Sequence, residues 1–424
     1  MLHFIPRMIE VRQTYPPSEA LDIPTHIEDQ FEAKGIYSQI APGMKVAVGV
    51  GSRGIGCLAE IVKAIIHVLS GKDAKPFIVP AMGSHGGGTP EGQLQILAHF
   101  GITEHSLGVP IEPDMEVRKV GTAFDELDVV FSSRALDADA VVVINRVKPH
   151  TDFQGSLGSG IQKMLAVGLG KQIGAAKVHQ AAARMGHEAV IRKFAEVVLN
   201  NVEILCAVAI LEDQHHRPNQ VKVLRAEEIV SEEPRLFEQA KHLVPRLPMD
   251  EIDLLIVDQI GKDISGTGMD TNVIGRDIRG YSTSLQENSL LSPHVFRIFV
   301  RELSPATDGN GIGIGLADFT TARAVKSLDL PKMYLNALTS IGLQTAKIPI
   351  YFDCDRDAIH AALSTLASRN LDRIRIVRIV NTLCLERMMV SECCVDQLKG
   401  RPRVSTVGIP DEMQFDKSGN LIPF

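Results

Sequence analysis

The stretch that decides the fold is Val141-Val-Val-Ile-Asn145, followed by Lys148-Pro-His-Thr-Asp-Phe-Gln-Gly-Ser-Leu-Gly-Ser-Gly-Ile-Gln-Lys163. Its first part is a short apolar run, which is typical of a buried strand. Its second part is a glycine-rich loop that opens where this strand ends. Ligands of open α/β sheets bind at the carboxyl ends of the strands. The stretch therefore predicts an α/β fold that displays His150 at the edge of a sheet.

Strand-like and helix-like runs alternate along the chain, which is typical of α/β proteins. The predicted strands are 45–50, 76–81, 141–145, 203–211, 253–257, 295–300, 312–316 and 373–380. The predicted helices are 58–69, 91–100, 187–199, 332–343 and 357–366. This alternation predicts sheets that are largely parallel, with helices packed on them.

Two domains are expected, because 424 residues exceed what one ordinary core holds. The sequence Pro245-Arg-Leu-Pro248 interrupts the pattern shortly before the apolar run 253–257. We therefore expect an N-terminal α/β domain at 1–246 and a C-terminal α/β domain at 247–399. The tail at 400–424 is expected to return to the N-terminal domain.

Composition excludes several classes of partner. The net charge of −7 gives no electrostatic reason to expect nucleic acid or an anionic membrane. No apolar run reaches the roughly 20 residues needed to span a bilayer, and the N-terminus lacks the pattern of a signal peptide. The six cysteines show no CxxC spacing, so we expect them to be reduced. These features predict a cytoplasmic protein.

Two histidines follow predicted strands in glycine-rich surroundings. His85 lies in Gly-Ser-His-Gly-Gly-Gly after the strand at 76–81, and His150 follows the strand at 141–145. A structural histidine more often sits among apolar side chains, whereas a glycine-rich loop gives these two side chains room to reach a ligand. Both are therefore candidates for general acid–base catalysis.

The segment Gly49-Val-Gly-Ser-Arg-Gly-Ile-Gly56 connects a predicted strand to a predicted helix. Backbone amides at such a junction can bind phosphate, and Ser52, Arg53, Gly54 and Gly56 are the candidate donors. The spacing does not match a dinucleotide-binding fingerprint. The alternative is a tight glycine turn with no ligand.

Further polar residues have weaker local signals. Lys163 precedes an apolar run, so it is either a desolvated nucleophile or a lysine whose stem lies along apolar surface. His179 lies in a helix-like stretch, where a surface histidine is the ordinary alternative. The polar loop at 258–272 indicates a ligand lid in the second domain, and a solvated polar loop is the alternative. A metal site made of Asp263, Asp270 and Asn272 is conceivable there, although the spacing does not match a calcium loop.

Taken in order, these motifs resemble the nickel-pincer-nucleotide-dependent lactate racemase family of 2-hydroxyacid racemases and epimerases. The resemblance rests on single residues and short motifs that occur in the same order as in the family, and these are spread over most of the chain. In the first domain it comprises Arg53, His85, Pro149-His150, Lys163 and His179, and in the second it comprises Gln259 and Lys262. It implies two α/β domains with the active site in the cleft between them.

The resemblance also implies a role for each residue. Lys163 would be attached covalently to the pyridinium-3,5-bisthiocarboxylic acid mononucleotide nickel cofactor, and His179 would be the protein ligand to nickel. Ser52, Arg53, Gly54 and Gly56 would bind the cofactor phosphate. His85 and His150 would be the paired acid–base residues, while Arg53, Gln259 and Lys262 would bind the substrate. The partners it implies are a small 2-hydroxy acid and the enzymes that mature the cofactor.

The residue types agree with this chemistry. The α-hydrogen of a 2-hydroxy acid is too weakly acidic for histidine to remove as a proton, so transfer as hydride to an electrophilic pyridinium is needed. The two enantiomers present their hydroxyl groups on different sides, and two histidines therefore serve one side each. Two alternatives stay open at this stage: a nucleotide-binding module without chemistry, and an oxidoreductase that uses a free nicotinamide cofactor.

Overall fold

Parallel strands flanked by helices make up both halves of the computed structural model, as the sequence predicts. The structure describes residues 5–51, 55–151, 153, 155–278, 293–366 and 373–424. The first unit runs from residue 17 to 244, and the second comprises residues 245–424 together with the N-terminal residues up to 16. No helix in the described ranges has the length and apolar character needed to cross a membrane.

Fifteen strands are present in the described ranges: β1 (Met8–Gln13), β2 (Lys45–Val50), β3 (Lys75–Pro80), β4 (Val117–Ala123), β5 (Leu127–Ser132), β6 (Ala140–Arg146), β7 (Ile204–Glu212), β8 (Pro218–Leu224), β9 (Glu251–Ile260), β10 (His294–Leu303), β11 (Phe319–Thr321), β12 (Ile350–Phe352), β13 (Ile376–Ile379), β14 (Arg387–Ser391) and β15 (Val404–Asp411).

The α-helices of the same ranges are α1 (Ile23–Ala33), α2 (Leu58–Ser70), α3 (Pro90–His99), α4 (Glu104–Leu107), α5 (Ser133–Leu136), α6 (Ile161–Lys163), α7 (Lys171–Met185), α8 (His187–Asn201), α9 (Ile229–Leu243), α10 (Thr271–Ile274), α11 (Ala322–Lys326), α12 (Leu330–Ser340), α13 (Asp355–Ser364) and α14 (Val395–Leu398). A single π-helical turn, Met164–Gly168, follows α6. Short 3-10 turns lie at Ile36–Gln39, Gly86–Gly88, Ala226–Glu228, Pro305–Thr307, Ile314–Leu316, Leu343–Ala346 and Glu392–Cys394.

The first unit is built on a five-stranded sheet of order β3-β2-β6-β7-β8. Its first four strands are parallel, and β8 is antiparallel to β7. Successive side chains of a strand point to opposite faces. In β2, Val46, Val48 and Val50 pack on the side that carries α1, α2 and α3. Ala47 faces the opposite layer, which contains α7, α8 and α9. The sheet is thus covered on both faces, which explains its continuous apolar strands.

The second unit is built on an eight-stranded sheet of order β12-β11-β10-β9-β13-β14-β1-β15. The strands from β12 to β13 are parallel, and the last three pairings are antiparallel. Helices α10, α11 and α12 cover one face, and α13 covers the other. Both units are therefore α/β layers with mostly parallel sheets.

The termini lie where the sequence did not place them. Strand β1 pairs with β14 on one side and with β15 on the other. Strand β1 and the tail strand β15 are thus part of the second sheet, not of the first. The physical reason is non-local pairing: β1 and β15 are separated by most of the chain, and no local pattern signals such a ladder.

Seven of the eight predicted strands are present, and the prediction at 312–316 is wrong. A 3-10 turn, Ile314–Leu316, forms there instead. Gly313 has φ 95, and a Cβ at this position would lie 1.8 Å from the Thr267 carbonyl oxygen. The glycines of this run let three backbone segments pack closely, which an extended strand would prevent.

A chain of buried ion pairs crosses the parallel part of the second sheet. Asp258 of β9 accepts two hydrogen bonds from Arg378 of β13, at 2.9 and 2.8 Å. It also lies 3.1 Å from Arg301 of β10, which bonds Asp355 at 2.7 Å. Arg323 forms a further ion pair with Asp355. Asp258, Arg301, Arg378 and Asp355 are buried beside opposite charges, so the loss of one weakens the compensation of its neighbours.

We expect Asp258→Ala to lower the free energy of unfolding by about 3–5 kcal/mol, because the buried Arg378 loses its carboxylate and the buried Arg301 keeps only Asp355. Urea titration followed by circular dichroism measures this change. Asp396→Ala is the matched control, since Asp396 is an exposed carboxylate of the same unit that pairs with the neighbouring Lys399. A loss for Asp258→Ala no larger than that of the control would contradict the expected role of the network.

Candidate active site

The candidate residues of the first unit gather at one edge of its sheet. After β2 the chain continues to β3, which lies on one side of β2. After β6 it continues to β7, which lies on the opposite side. The loops that follow β2 and β6 therefore leave in opposite directions and open a crevice, where ligands of such sheets bind. The loop after β2 contains Gly56, the loop after β6 contains His150, and the neighbouring loop after β3 contains His85.

The loop after β6 is closed at its base. Lys148 and Ser159 exchange two backbone hydrogen bonds of 2.9 Å each. Beside this bridge, Asn145 Nδ2 donates to the Gly160 carbonyl oxygen at 2.7 Å. The strand end thus holds both ends of the loop, and α6 begins directly after it. His150 and Lys163 are brought to the same place although 13 positions separate them in the sequence.

His150 and Lys163 are in contact. Lys163 Nζ lies within hydrogen-bonding reach of His150 Nε2, and both side chains are half-buried. An imidazole nitrogen and an amine at this separation can share a hydrogen bond. The arrangement therefore places an acid–base residue directly beside a potential nucleophile.

Three further rings extend from His150 in a row. The Phe153 ring stacks on His150 at 4.6 Å between centroids, and the His187 ring stacks on the other side of Phe153 at 5.1 Å. His187 then meets His179 edge to face at 6.1 Å. The structure therefore joins the candidate catalytic residue to the candidate metal ligand through two rings that the sequence did not single out. His187 is the first residue of α8 and follows Gly186. No local feature of the sequence indicated that its side chain belongs to the site.

Side-chain hydrogen bonds fix this loop to the start of α8. The Ser156 N–H and hydroxyl donate to the Glu188 carboxylate at 3.0 and 2.6 Å. Arg192 donates to the same carboxylate at 2.9 Å and to Ser156 Oγ at 2.7 Å. Burial raises the pKa of Glu188, but the hydrogen bonds from Ser156 and Arg192 outweigh it and hold the pKa below its usual range. The loop is thus held by a carboxylate that is ionised at neutral pH.

Lys163 is followed by the π-helical turn Met164–Gly168, and such turns are frequent at functional sites. Met164 packs against two glycines of different segments: a Cβ on Gly168 would lie 2.2 Å from its Sδ, and one on Gly51 would lie 2.8 Å from its Cε. This close packing ties the segment of Lys163 to the loop that follows β2.

The loop of His85 packs on the same π-helical turn. The Gly83 N–H donates to the Gly168 carbonyl oxygen at 3.1 Å. Lys171, which is fully buried, donates through Nζ to the Pro80 carbonyl oxygen at 2.6 Å. Burial lowers the pKa of Lys171 to about 8. These bonds hold the end of β3, and with it His85, beside the segment that links Lys163 to His179.

The Gly56 amide is already used within the protein. Its N–H donates to Glu212 Oε1 at 2.5 Å, and Glu212 also forms an ion pair with Arg146 at the end of β6. A phosphate at this amide would have to displace a carboxylate, so Gly56 is a poorer candidate donor than the sequence suggests. Ser52, Arg53 and Gly54 lie outside the described residues.

The candidate residues of the second unit occupy the equivalent point of its own sheet. After β9 the chain continues to β10, which lies on one side of β9. After β13 it continues to β14, which lies on the opposite side. Gln259 Nε2 donates to Glu302 at 3.4 Å, and Lys262 Nζ donates to the Gly266 carbonyl oxygen at 2.8 Å and to Asn336 at 3.1 Å. Lys262 is thereby held at the carboxyl end of β9.

The acidic residues of the 258–272 loop have structural partners. Asp263 accepts a hydrogen bond from Ser304 at 2.5 Å. Asp270 caps α10 by accepting from the Asn272 N–H at 2.9 Å, and its own N–H donates to Thr382 at 3.0 Å. Across the described ranges, no group of three or more His, Cys, Asp or Glu residues is arranged to hold a metal ion. The contacts of Asp263, Asp270 and Asn272 are those of a folded loop.

Comparison with known proteins finds a likeness in structure but none in sequence. No protein-family model matches the chain, and no curated protein sequence matches it. Among solved structures, the chain is similar to the lactate racemase apoprotein from Thermoanaerobacterium thermosaccharolyticum. The TM-score is 0.52 at 12% sequence identity, and the alignment covers 89% of this chain and 99% of that chain. The chain therefore has a lactate-racemase-like fold over nearly its whole length.

Proposed function

We propose that this protein is a racemase or epimerase of a 2-hydroxy acid that carries a nickel-pincer nucleotide on Lys163. The observation that supports this most directly is the contact of Lys163 Nζ with His150 Nε2 at the carboxyl edge of the first sheet. A nucleophilic amine beside an acid–base residue is what covalent attachment next to a reacting substrate requires. The lactate-racemase-like fold supports the same assignment.

The described residues suit such a group. The resemblance assigns the anchor to Lys163 and the nickel ligand to His179, and a row of rings leads from His150 beside the anchor to His179. Imidazole is a suitable ligand for nickel, so His179 would hold the metal. When bound, the cofactor would supply an electrophilic pyridinium that accepts hydride from C2 of the substrate. Ser52, Arg53 and Gly54 are proposed to bind its phosphate.

The side chains of the protein would manage the proton and the carboxylate. His150 would take the hydroxyl proton from one enantiomer and give a proton back when that enantiomer re-forms. His85 would do the same for the other enantiomer, so that inversion consumes a proton from one histidine and leaves one on the other. Histidine suits both directions because its ordinary pKa of about 6.5 lies near neutrality. Arg53, Gln259 and Lys262 are proposed to bind the substrate carboxylate or to shape the pocket around it.

The assignment also carries proposals about context. The cofactor would be delivered by maturation enzymes, and the protein would work in the cytoplasm. A nucleotide-binding module without chemistry would have no use for an imidazole held against the Lys163 amine. An oxidoreductase with a free nicotinamide cofactor would have no use for a lysine anchor. The contact between His150 and Lys163 therefore favours the racemase over both alternatives.

We expect protein produced together with the maturation enzymes to carry a covalent adduct on Lys163, because its amine is held at the site. Peptide mapping by mass spectrometry locates the adduct. Lys163→Arg should abolish it while keeping a positive charge beside His150. Lys193→Arg, a substitution at an exposed lysine paired with Glu196, should leave it intact. An unmodified Lys163 in active protein that contains nickel would rule out this anchor.

We expect His179→Ala to lower the nickel content, whereas His85→Ala and His150→Ala keep the metal and lose turnover. The expected fall in rate is about 10²–10⁴-fold, the usual contribution of general acid–base catalysis. Metal analysis and the racemisation rate of the same preparations separate the two roles. Equal loss of nickel in all three variants would show that the roles are wrongly divided.

A further inference from the structure

A buried carboxyl lies behind the short helix that presents Lys163. Glu233, on α9, is about 1% exposed, and its Oε2 accepts a hydrogen bond of 3.0 Å from the Gln162 N–H. Gln162 directly precedes Lys163, and 71 positions separate it from Glu233 in the sequence. The carboxyl therefore holds the backbone one residue before the proposed anchor.

Gly160 leaves the space that this carboxyl occupies. A Cβ on Gly160 would lie 1.8 Å from Glu233 Oε1. Gly160 has φ 173, an extended conformation that any residue can adopt. The backbone conformation therefore does not require glycine here, whereas the position of the Glu233 carboxyl does. The two residues form a matched pair behind the helix.

The Glu233 carboxyl also accepts hydrogen bonds from N–H groups at the start of α6. The first N–H groups of a helix have no partner within it, and Gly160 has no side chain to cap them. Burial raises the pKa of Glu233, and hydrogen bonds from the Gln162 and Ile161 N–H groups lower it. Burial is the larger effect, so the pKa is raised to about 7. A polar group this deeply buried is costly unless it is hydrogen-bonded, and these amides provide the partners.

We propose that Glu233 is a positioning residue that holds α6 so that Lys163 meets His150. Through this contact it would also govern how efficiently Lys163 receives the cofactor. The last point rests on the proposed function, but the positioning itself can be tested on protein without cofactor. The carboxyl acts through the backbone of Gln162 and does not touch the reacting groups.

The test measures the coupling between His150 and Lys163 by amine labelling. Folded protein without cofactor is treated briefly with an acylating reagent, and the labelling rate of Lys163 is quantified by mass spectrometry. Because the two side chains touch, His150→Ala should change this rate by about threefold or more in the native background. When Glu233 is replaced by alanine or glutamine, His150→Ala should change the labelling rate of Lys163 by less than half of that factor.

Three variants serve as controls and independent routes. Glu238→Gln lies on the same helix, where Glu238 is exposed and paired with Lys241, and it should keep the full coupling. Gly160→Ala should reduce the coupling by displacing the carboxyl, and it should lower the melting temperature less when Glu233 is already alanine. If Glu233→Ala fails to fold, the Glu233→Gln variant, which keeps the shape of the side chain, decides the result.

The outcomes separate this inference from the proposed function. Full coupling in folded Glu233→Gln and Gly160→Ala, or no coupling in the native protein, would overturn the positioning role. A lost coupling supports it, and a reduced fraction of adduct-bearing Lys163 in coexpressed Glu233→Gln supports its effect on loading. If native protein forms no adduct while the coupling depends on Glu233, the proposed function fails and the positioning role stands.

Discussion

The backbone bridge between Lys148 and Ser159 is the constraint on which the candidate site depends. It closes a glycine-rich loop directly at the end of a buried strand, so His150 near its start and Lys163 just beyond its end meet. Without this closure the two side chains would be separated by a flexible connection, whose ordering would cost free energy each time the site formed. The Asn145 side chain adds a second bond at the same point.

Parallel sheets explain why the other candidates lie at strand ends as well. In each sheet there are two neighbouring strands after which the chain continues in opposite directions. The loops that follow these two strands flank a crevice. In the first unit these strands are β2 and β6, and in the second they are β9 and β13. His150 follows one of these strands, and Lys262 follows another. The same topological rule thus places candidate residues in both units, although each sheet forms its own core.

The sequence predicted what local pattern controls and missed what distant contacts control. The apolar runs at 45–50 and 141–145 fix the strands, and their flanking glycines and histidines mark the loops. The position of His187 in the ring row depends on how α8 packs against a loop, and the cap from Glu233 comes from a residue 71 positions away. The wrong strand at 312–316 has the same cause, because backbone segments distant in sequence determine that its glycines turn.

We propose that C2 of a 2-hydroxy acid inverts by loss and return of hydride while histidines handle only the hydroxyl proton. The most direct measurement runs racemisation of a 2-hydroxy acid in heavy water and examines C2 of the inverted product by NMR. A hydrogen on a histidine exchanges with solvent quickly, whereas a hydride held on carbon does not. We predict that the product keeps its original hydrogen at C2. Solvent deuterium appearing at C2 in step with inversion would contradict it.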